Sequence, residues 1–335
     1  MAKSTYASIS QRTNAYAATV MLAHAEPILV LQKFSLAKPM PRNTADNVKF
    51  RRAVPFTVST TPLTEGVTPT AHAIGYADVS VTLAQYGDVT EITDKVADLA
   101  EDPVLKDAAM LSGEQAAETL EMVTYGVAKG GTNVFYDTDA HVRNTVNSII
   151  TLDRQRKVVR FLKAQRGRPI TSMLDASPNY GTSAIEGGYL AFAHTDVEAD
   201  IRKLAGFVPV AEYGSRKPLC PEECGSVEGV RYILSPLFVA YANAGGTAST
   251  NGVYSTGGTQ ADVYPIIFMA KEALGTVALK GSGAITPTIL NPGTPSKSDP
   301  LGQTGFVGWK VYSASLRLNE SWLVRLECAV DDLTA

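Results

Sequence analysis

The sequence predicts an α+β chain, and three stretches carry that reading: a two-stranded ribbon between Val48 and Thr93, one long helical pattern from Pro103 to Lys129, and alternating strands between Phe306 and Val330. The ribbon's outgoing strand is Val48 to Val54, and its return alternates Val79, Val81 and Leu83 against Ser80, Thr82 and Ala84. Between them Thr60 to Thr70 is rich in β-formers, interrupted by Pro62, Gly66 and Pro69, and short of large apolar anchors. A connection of that length is uncommon inside a compact domain, and a lone two-stranded ribbon is marginal in water. The arm therefore reads as a device for gripping a neighbour through its open edges, with Arg51, Arg52, Pro62, Glu65 and Pro69 as candidate subunit-interface residues.

Ahead of the ribbon, a modest helical pattern from Tyr16 to Ala25 is stopped by Pro27, Pro39 and Pro41, which suggests an extended N-terminal arm over residues 1–45. After it, Asp102 stands as N-cap and Pro103 at the first position of the long helix. Leu105, Ala109, Ala116, Leu120, Val123 and Val127 form its apolar stripe, and Gly130-Gly131 supplies the stop. Such a helix spans roughly 40 Å at about 1.5 Å per residue. Its interior Gly113 and Gly126 each cost about 1 kcal/mol against Ala and imply close approach of another backbone.

A second helix is expected from Thr145 to about Gln165, with Ile149, Leu152, Val159 and Leu162 on one side. It is strongly basic: Arg154, Arg156, Lys157, Arg160 and Lys163 form a candidate contact patch. Two readings apply, phosphate binding, or a solvated face or inter-subunit ion pairs with acidic surfaces such as Glu101, Asp102, Glu114 and Glu118; the lack of aromatics among the cations favours the second. A strand from Gly188 to His194 follows, then Thr195-Asp196-Val197-Glu198 as a capping box for a short helix ending near Gly206. Val230 to Leu234 is a further strand. Residues 243–260 and 281–305 read as loose loops, the first a hinge together with the base of the ribbon. Phe306 to Leu318 and Trp322 to Val330 are expected to form a hairpin turned at Asn319-Glu320-Ser321, with Trp322, Val324, Leu326, Cys328 and Val330 on one face.

The 335 residues are enough for about two domains. A formal net charge of −3 is too small to dictate an acidic or basic partner, so any nucleic-acid contact must come from local patches. Three cysteines cannot make a disulfide framework, no run is long enough to span a membrane, and no signal peptide opens the chain. These features suit a soluble chain in a reducing cytoplasm.

Motifs for chemistry are scarce. His194, Asp196 and Glu198 permit a metal-dependent hydrolase on paper, but a strand-end histidine and a capping box explain them, and the other histidines lie in unrelated segments. Cys220 and Cys224 lack a second ligand pair. There is no phosphate loop of the Gly-x-x-x-x-Gly-Lys type and no nucleophile elbow. The expectation is a chain that is not an enzyme and uses no cofactor or metal.

One ordered series of short runs resembles a known family. Asp88 to Asp94, Leu99 to Leu105, Gly113 to Leu120, Gly131 to Val134, Gly188 to Arg202, Val227 to Tyr232, Asp262 to Pro265, Lys271 to Gly275 and Asn319 to Glu327 resemble the major capsid proteins of tailed double-stranded-DNA bacteriophages, in the branch typified by the podovirus N-four. The resemblance implies the Hong Kong 97-like capsid fold: N-terminal arm 1–45, extended β-hairpin loop 46–95, a peripheral domain of 96–144 and 264–335 built on the spine helix and a sheet, and an axial α/β domain of 145–263. It also implies self-assembly into pentamers and hexamers of an icosahedral shell around double-stranded DNA, as part of the virion, assembled in the bacterial cytoplasm. Implied partners are other copies of the chain, portal, scaffold or decoration proteins, and weakly contacted DNA. No long helical scaffold segment precedes the arm, so a separate scaffold or none is expected. An encapsulin-like cage around protein cargo is the alternative that shares the fold.

Overall fold

The computed structural model describes residues 29–99, 104–137, 140–174, 182–214, 216–248, 252–280, 285–293, 295 and 299–333. The expected N-terminal helix around Tyr16 and the Asp102-Pro103 cap lie outside them.

In chain order the elements are β1 (Leu36–Met40), the ribbon strands β2 (Asn47–Ala53) and β3 (Tyr76–Thr82), β4 (Ala84–Thr93), the short helix α1 (Asp94–Leu99) and the spine helix α2 (Val104–Lys129). After them come β5 (Val134–Tyr136), the basic helix α3 (Leu152–Ala164), β6 (Ile170–Leu174), β7 (Thr182–Ala193), α4 (Glu198–Arg202), β8 (Val208–Pro209), β9 (Glu223–Val227) and β10 (Val230–Leu234). The chain then supplies β11 (Tyr264–Met269), β12 (Leu274–Leu279), β13 (Thr286–Leu290), β14 (Thr304–Arg317) and β15 (Leu323–Cys328).

Two larger sheets organise these strands. In the five-stranded sheet, β14 is paired along one side by all ten residues of β4, from Thr304↔Thr93 to Ser313↔Ala84, and along the other by β12 and β13, with β1 parallel outside β12. The eight-stranded sheet runs β5-β15-β11-β7-β10-β9-β8, with β6 on β7. The domain boundaries expected at 144/145 and 263/264 fall within the span of this sheet, which takes β5, β11 and β15 from one side of them and β6 to β10 from the other.

The spine helix joins the two sheets. Ala109, Ala116, Ala117 and Leu120 pack on Ile92, Val307, Trp309 and Val311 of the five-stranded sheet. Farther along, Tyr125 and Ala128 enter a second core with Phe192, Phe238, Ile267 and Leu323. Small residues dominate the buried stripe, so the helix backbone lies close to the strands beneath it. Gly113 is buried as expected, whereas Gly126 is exposed and a Cβ there would meet nothing within 4 Å; the close approach inferred for it is absent. Val123 and Val127 are only half-buried.

Other expectations are corrected. The last two strands form no hairpin: β14 lies in the five-stranded sheet and β15 in the eight-stranded one, joined by a 3-10 turn over Glu320–Trp322. That corner is held by Asn319, whose side chain accepts from the Ser321 amide, and by the Arg317–Glu320 ion pair at 2.7 Å. The returning strand of the ribbon breaks at Leu83, whose amide donates to the Asp46 carbonyl, so 84–93 belongs to the main sheet. The second helix begins at Leu152, not Thr145, because 146–150 is drawn out by bonds from Gly246 to the Val146 carbonyl and from Ala329 to the Ser148 carbonyl. The capping box is not formed: the His194 ring nitrogen Nδ1 accepts from the Asp196 amide at 3.1 Å, and Glu198 turns to Arg202. Strand β13 lies inside the stretch expected to be loop. The 243–260 loop is pinned at its ends by the Asp262 carboxylate, which accepts from the Asn243 amide and the Thr256 hydroxyl.

Candidate functional site

Among the described residues, ribbon strands β2 and β3 pair only with each other, from Asn47↔Thr82 to Ala53↔Tyr76. Their alternation divides the faces. The cross-strand pairs Val48↔Val81 and Phe50↔Val79 lean on Met40, Val277 and Leu316, which roots the ribbon on the five-stranded sheet. On the other face Arg51 lies opposite Asp78 and grips it twice, Nε to Oδ1 at 2.8 Å and Nη2 to Oδ2 at 3.0 Å. That contact holds the Asp78 carboxyl below its ordinary range. Arg51 is thus first a ribbon-stabilising residue, while Arg52 is exposed and has no ion pair among the described residues.

Beyond Ala53 every residue up to Tyr76 is exposed, including Pro62, Glu65 and Pro69. The tip is richer in apolar groups than expected. Phe56, Val58, Leu63, Val67 and Ile74 all stand in solvent, Val58 and Leu63 at 78% and 77% exposure. A cluster of large apolar side chains at the end of a projecting ribbon marks an interaction surface, because water penalises it until another surface covers it.

The basic helix buries Val158 and Leu162 and, less expectedly, Gln155. The Gln155 amide donates to the Val227 carbonyl at 2.8 Å and accepts from the Tyr232 hydroxyl at 2.7 Å, so its polarity is satisfied inside the core. The helix ends at Arg166, with φ of 55°, where Gly167 N donates to the Leu162 carbonyl in a Schellman closure. Among the described residues, only Arg156 of its five patch residues has ionic partners, Glu228 at 2.6 Å and Asp153 at 3.5 Å. Among the described residues Glu118 forms no ion pair with this helix, and Glu101 and Asp102 lie outside the described residues.

Elsewhere the structure gathers charge where the sequence signalled a core face and its reverse. Strand β15 is buried on both faces. Val324, Leu326, Cys328 and Val330 line one core, as expected, while Leu323, Arg325 and Glu327 fill the other side. Glu327 is fully buried, accepts from Arg143 at 2.8 and 2.7 Å, and lies 2.7 Å from Arg325 Nε as an ion pair without hydrogen-bond alignment. Tyr241 stacks between the Arg143 guanidinium at 3.6 Å and Lys129 at 3.8 Å. Arg325 also donates to the Lys129 carbonyl, tying the end of the spine helix to β15. The only hint of this network in the sequence is the charged pair at alternate positions of an apolar strand.

The geometry offers little for catalysis. Asp196 accepts from the Tyr264 hydroxyl and Glu198 from Arg202, and among the described residues no three metal-binding side chains converge. Burial pushes the Cys220 thiol up to about 12 and Cys224 to about 11, which keeps both as neutral core thiols. A cavity of about 650 Å³ between β4 and the spine helix is lined mainly by Ile92, Val96, Val104, Ala108 and Leu111. Among the described residues no helix is long and apolar enough to cross a membrane.

Residues 76–314 match the family described as Phage capsid protein. The chain belongs to that family. No curated protein matches it in sequence. Among solved structures it resembles the capsid of Ralstonia phage GP4, with a TM-score of 0.66 at 11% identity over 92% of this chain and 91% of that one. The head of Helicobacter pylori bacteriophage KHP40 gives a TM-score of 0.59 at 11% identity, over 91% and 90%. The SrpI encapsulin of Synechococcus elongatus PCC 7942 gives 0.52 at 11%, over 91% and 88%. These likenesses establish the Hong Kong 97-like capsid fold of this phage capsid protein.

Proposed function

We propose that this phage capsid protein is the major head subunit of a tailed phage, assembling into pentamers and hexamers of an icosahedral shell that encloses double-stranded DNA. The observation that carries the reading is the ribbon: seven paired residues per strand, rooted at its base, ending in an exposed apolar tip. A subunit that covers this tip with a neighbouring copy gains about 25 cal/mol for each Å² of apolar surface removed from water, repeated at every interface of the shell. Portal, scaffold or decoration proteins are further partners of such a shell, and assembly takes place in the host cytoplasm. The ordered motif runs support a position in the N-four-like podovirus branch. The two sheets support a peripheral unit of the five-stranded sheet with the spine helix, and an axial unit of the eight-stranded sheet with the basic helix.

The likeness to an encapsulin favours a second reading, a cage around protein cargo; the cargo recovered from shells distinguishes the two. Deleting residues 60–70 tests the central claim. The expected outcome is a folded protein that no longer forms shells or capsomer rings by light scattering and negative-stain microscopy. Full assembly of the deletion overturns the role of the arm.

A further inference from the structure

The sequence places five cations on one helix. The fold supplies the neighbours. A cavity of about 500 Å³ along the basic helix is lined by Arg154, Arg156, Lys157, Arg160, Thr151 and Asp153, four cations against one carboxylate. Asp153 and Glu228 are both engaged by Arg156, so the acids within reach are spent on one guanidinium. Arg154, Lys157 and Arg160 have no ion pair among the described residues.

A second cavity of about 540 Å³ shares Arg154 and Lys157 with the first and is lined on its far side by Phe135, Tyr136 and His141. The Lys157 ammonium sits 5.5 Å from the centroid of the Phe135 ring, which itself packs edge-on to Phe161. The two cavities make one furrow with a cationic floor and aromatic, hydrogen-bonding side chains on one wall. Arg154, Lys157, Arg160 and Lys163 follow one i, i+3 ridge, rising about 4.5 Å per step.

We propose that this furrow binds the phosphodiester backbone of double-stranded nucleic acid through Arg154, Lys157 and Arg160, with Tyr136 and His141 as flanking donors. Which polyanion it meets rests on the reading of the chain as a shell around DNA; the charge geometry does not. A duplex strand presents a phosphate about every 3.4 Å of axis, so each cation of a row stepped by about 4.5 Å has a phosphate within reach of its long side chain, without one-to-one register. The competing occupant is an acidic face of a second copy of this chain, and the assembly readout below separates it from nucleic acid.

The test is fluorescence anisotropy of a labelled mixed-sequence duplex of about 20 base pairs, titrated with the full chain across a salt series. Three proteins are compared: wild type, the furrow variant R154Q/K157Q/R160Q, and a control with equal charge loss, K106Q/K271Q/K310Q. The furrow variant is expected to bind at least about tenfold more weakly at low salt and to lower the slope of log K against log salt by about 2.7, while the control changes little. Equal binding by the furrow variant, an equal loss in the control, or no binding by wild type overturns the proposal. Light scattering on the same samples separates the two readings. Lost DNA binding without shells in any sample keeps the furrow and removes the shell, whereas intact shells with an unchanged DNA slope do the reverse. A furrow variant that melts normally but has lost assembly places the furrow at a subunit contact and overturns the proposal.

Discussion

Strands β3 and β4 are separated by one residue, Leu83, yet they live in opposite environments. Strand β4 is paired over its ten residues with β14, and Gly87 lies so close that a Cβ would meet the Trp309 carbonyl at 2.6 Å. Strand β3 pairs only with β2, and past Tyr76 the chain leads back into a tip whose phenylalanine, leucine, isoleucine and valines face water. The body packs its strands and spine helix into shared cores and pairs Glu327 with Arg143 and Arg325, whereas the ribbon tip exposes its apolar side chains along its whole length. Stability and assembly are therefore expected to separate along the chain at Leu83.

The largest expected effect lies at Glu327, whose carboxylate answers both Arg143 and Arg325 in a fully buried position. Glu327→Ala leaves those cations uncompensated and should cost about 3–5 kcal/mol, read as a lowered denaturation midpoint. A midpoint within error of wild type would break the claim that the body depends on internal charge pairing.

Next comes Glu121 on the spine helix, which is fully buried and accepts from the Leu31 amide at 2.7 Å, fastening the incoming arm. Its charged neighbours are Lys33 and Glu222, themselves 3.7 Å apart. Burial raises its pKa from 4.5 to about 7. A carboxyl raised on folding contributes stability that is present below about 4.5 and lost as pH rises through about 7. Glu121→Gln keeps an acceptor for Leu31 and removes the charge. It should stabilise the protein by on the order of 2 kcal/mol at pH 8 and change little at pH 4.5, as followed by thermal melts across that range. A gain independent of pH would point to packing instead.

The smallest effect on folding is expected in the tip. Phe56→Ser with Leu63→Ser touches side chains that are mostly in solvent, and should shift stability by less than about 0.5 kcal/mol. The same double variant is expected to abolish shell formation. A large loss of stability would mean that the tip packs on its own body.

The ribbon, the spine helix and the apolar face of β15 from Val324 to Val330 were legible because each rests on local periodicity over many residues. The hairpin expected at Asn319-Glu320-Ser321 failed for a non-local reason. Nothing in a three-residue turn states whether the flanking strands pair with each other, and here β11 and β5 compete successfully for β15 while β4, β12 and β13 occupy β14. The early start assigned to the basic helix failed in the same way, since bonds from Gly246 and Ala329 hold 146–150 extended. The apolar character of the tip is spread too thinly to give a periodic signal: Phe56, Val58, Leu63, Val67 and Ile74 are separated by polar residues, glycine and proline.

By itself the sequence determined where the chain is helical or extended over long stretches, that a ribbon projects from the body, and which helix carries the positive charge. These follow from side-chain spacing, which repeats every two or 3.6 residues and needs no partner to be read. Only the tertiary structure decided which sheet each strand joins, that Glu327 and Gln155 are buried with their partners, and that the cations of the basic helix border an aromatic wall. Those outcomes depend on which distant segments meet. Backbone hydrogen bonding and burial settle that competition across the whole molecule, so no local stretch records it.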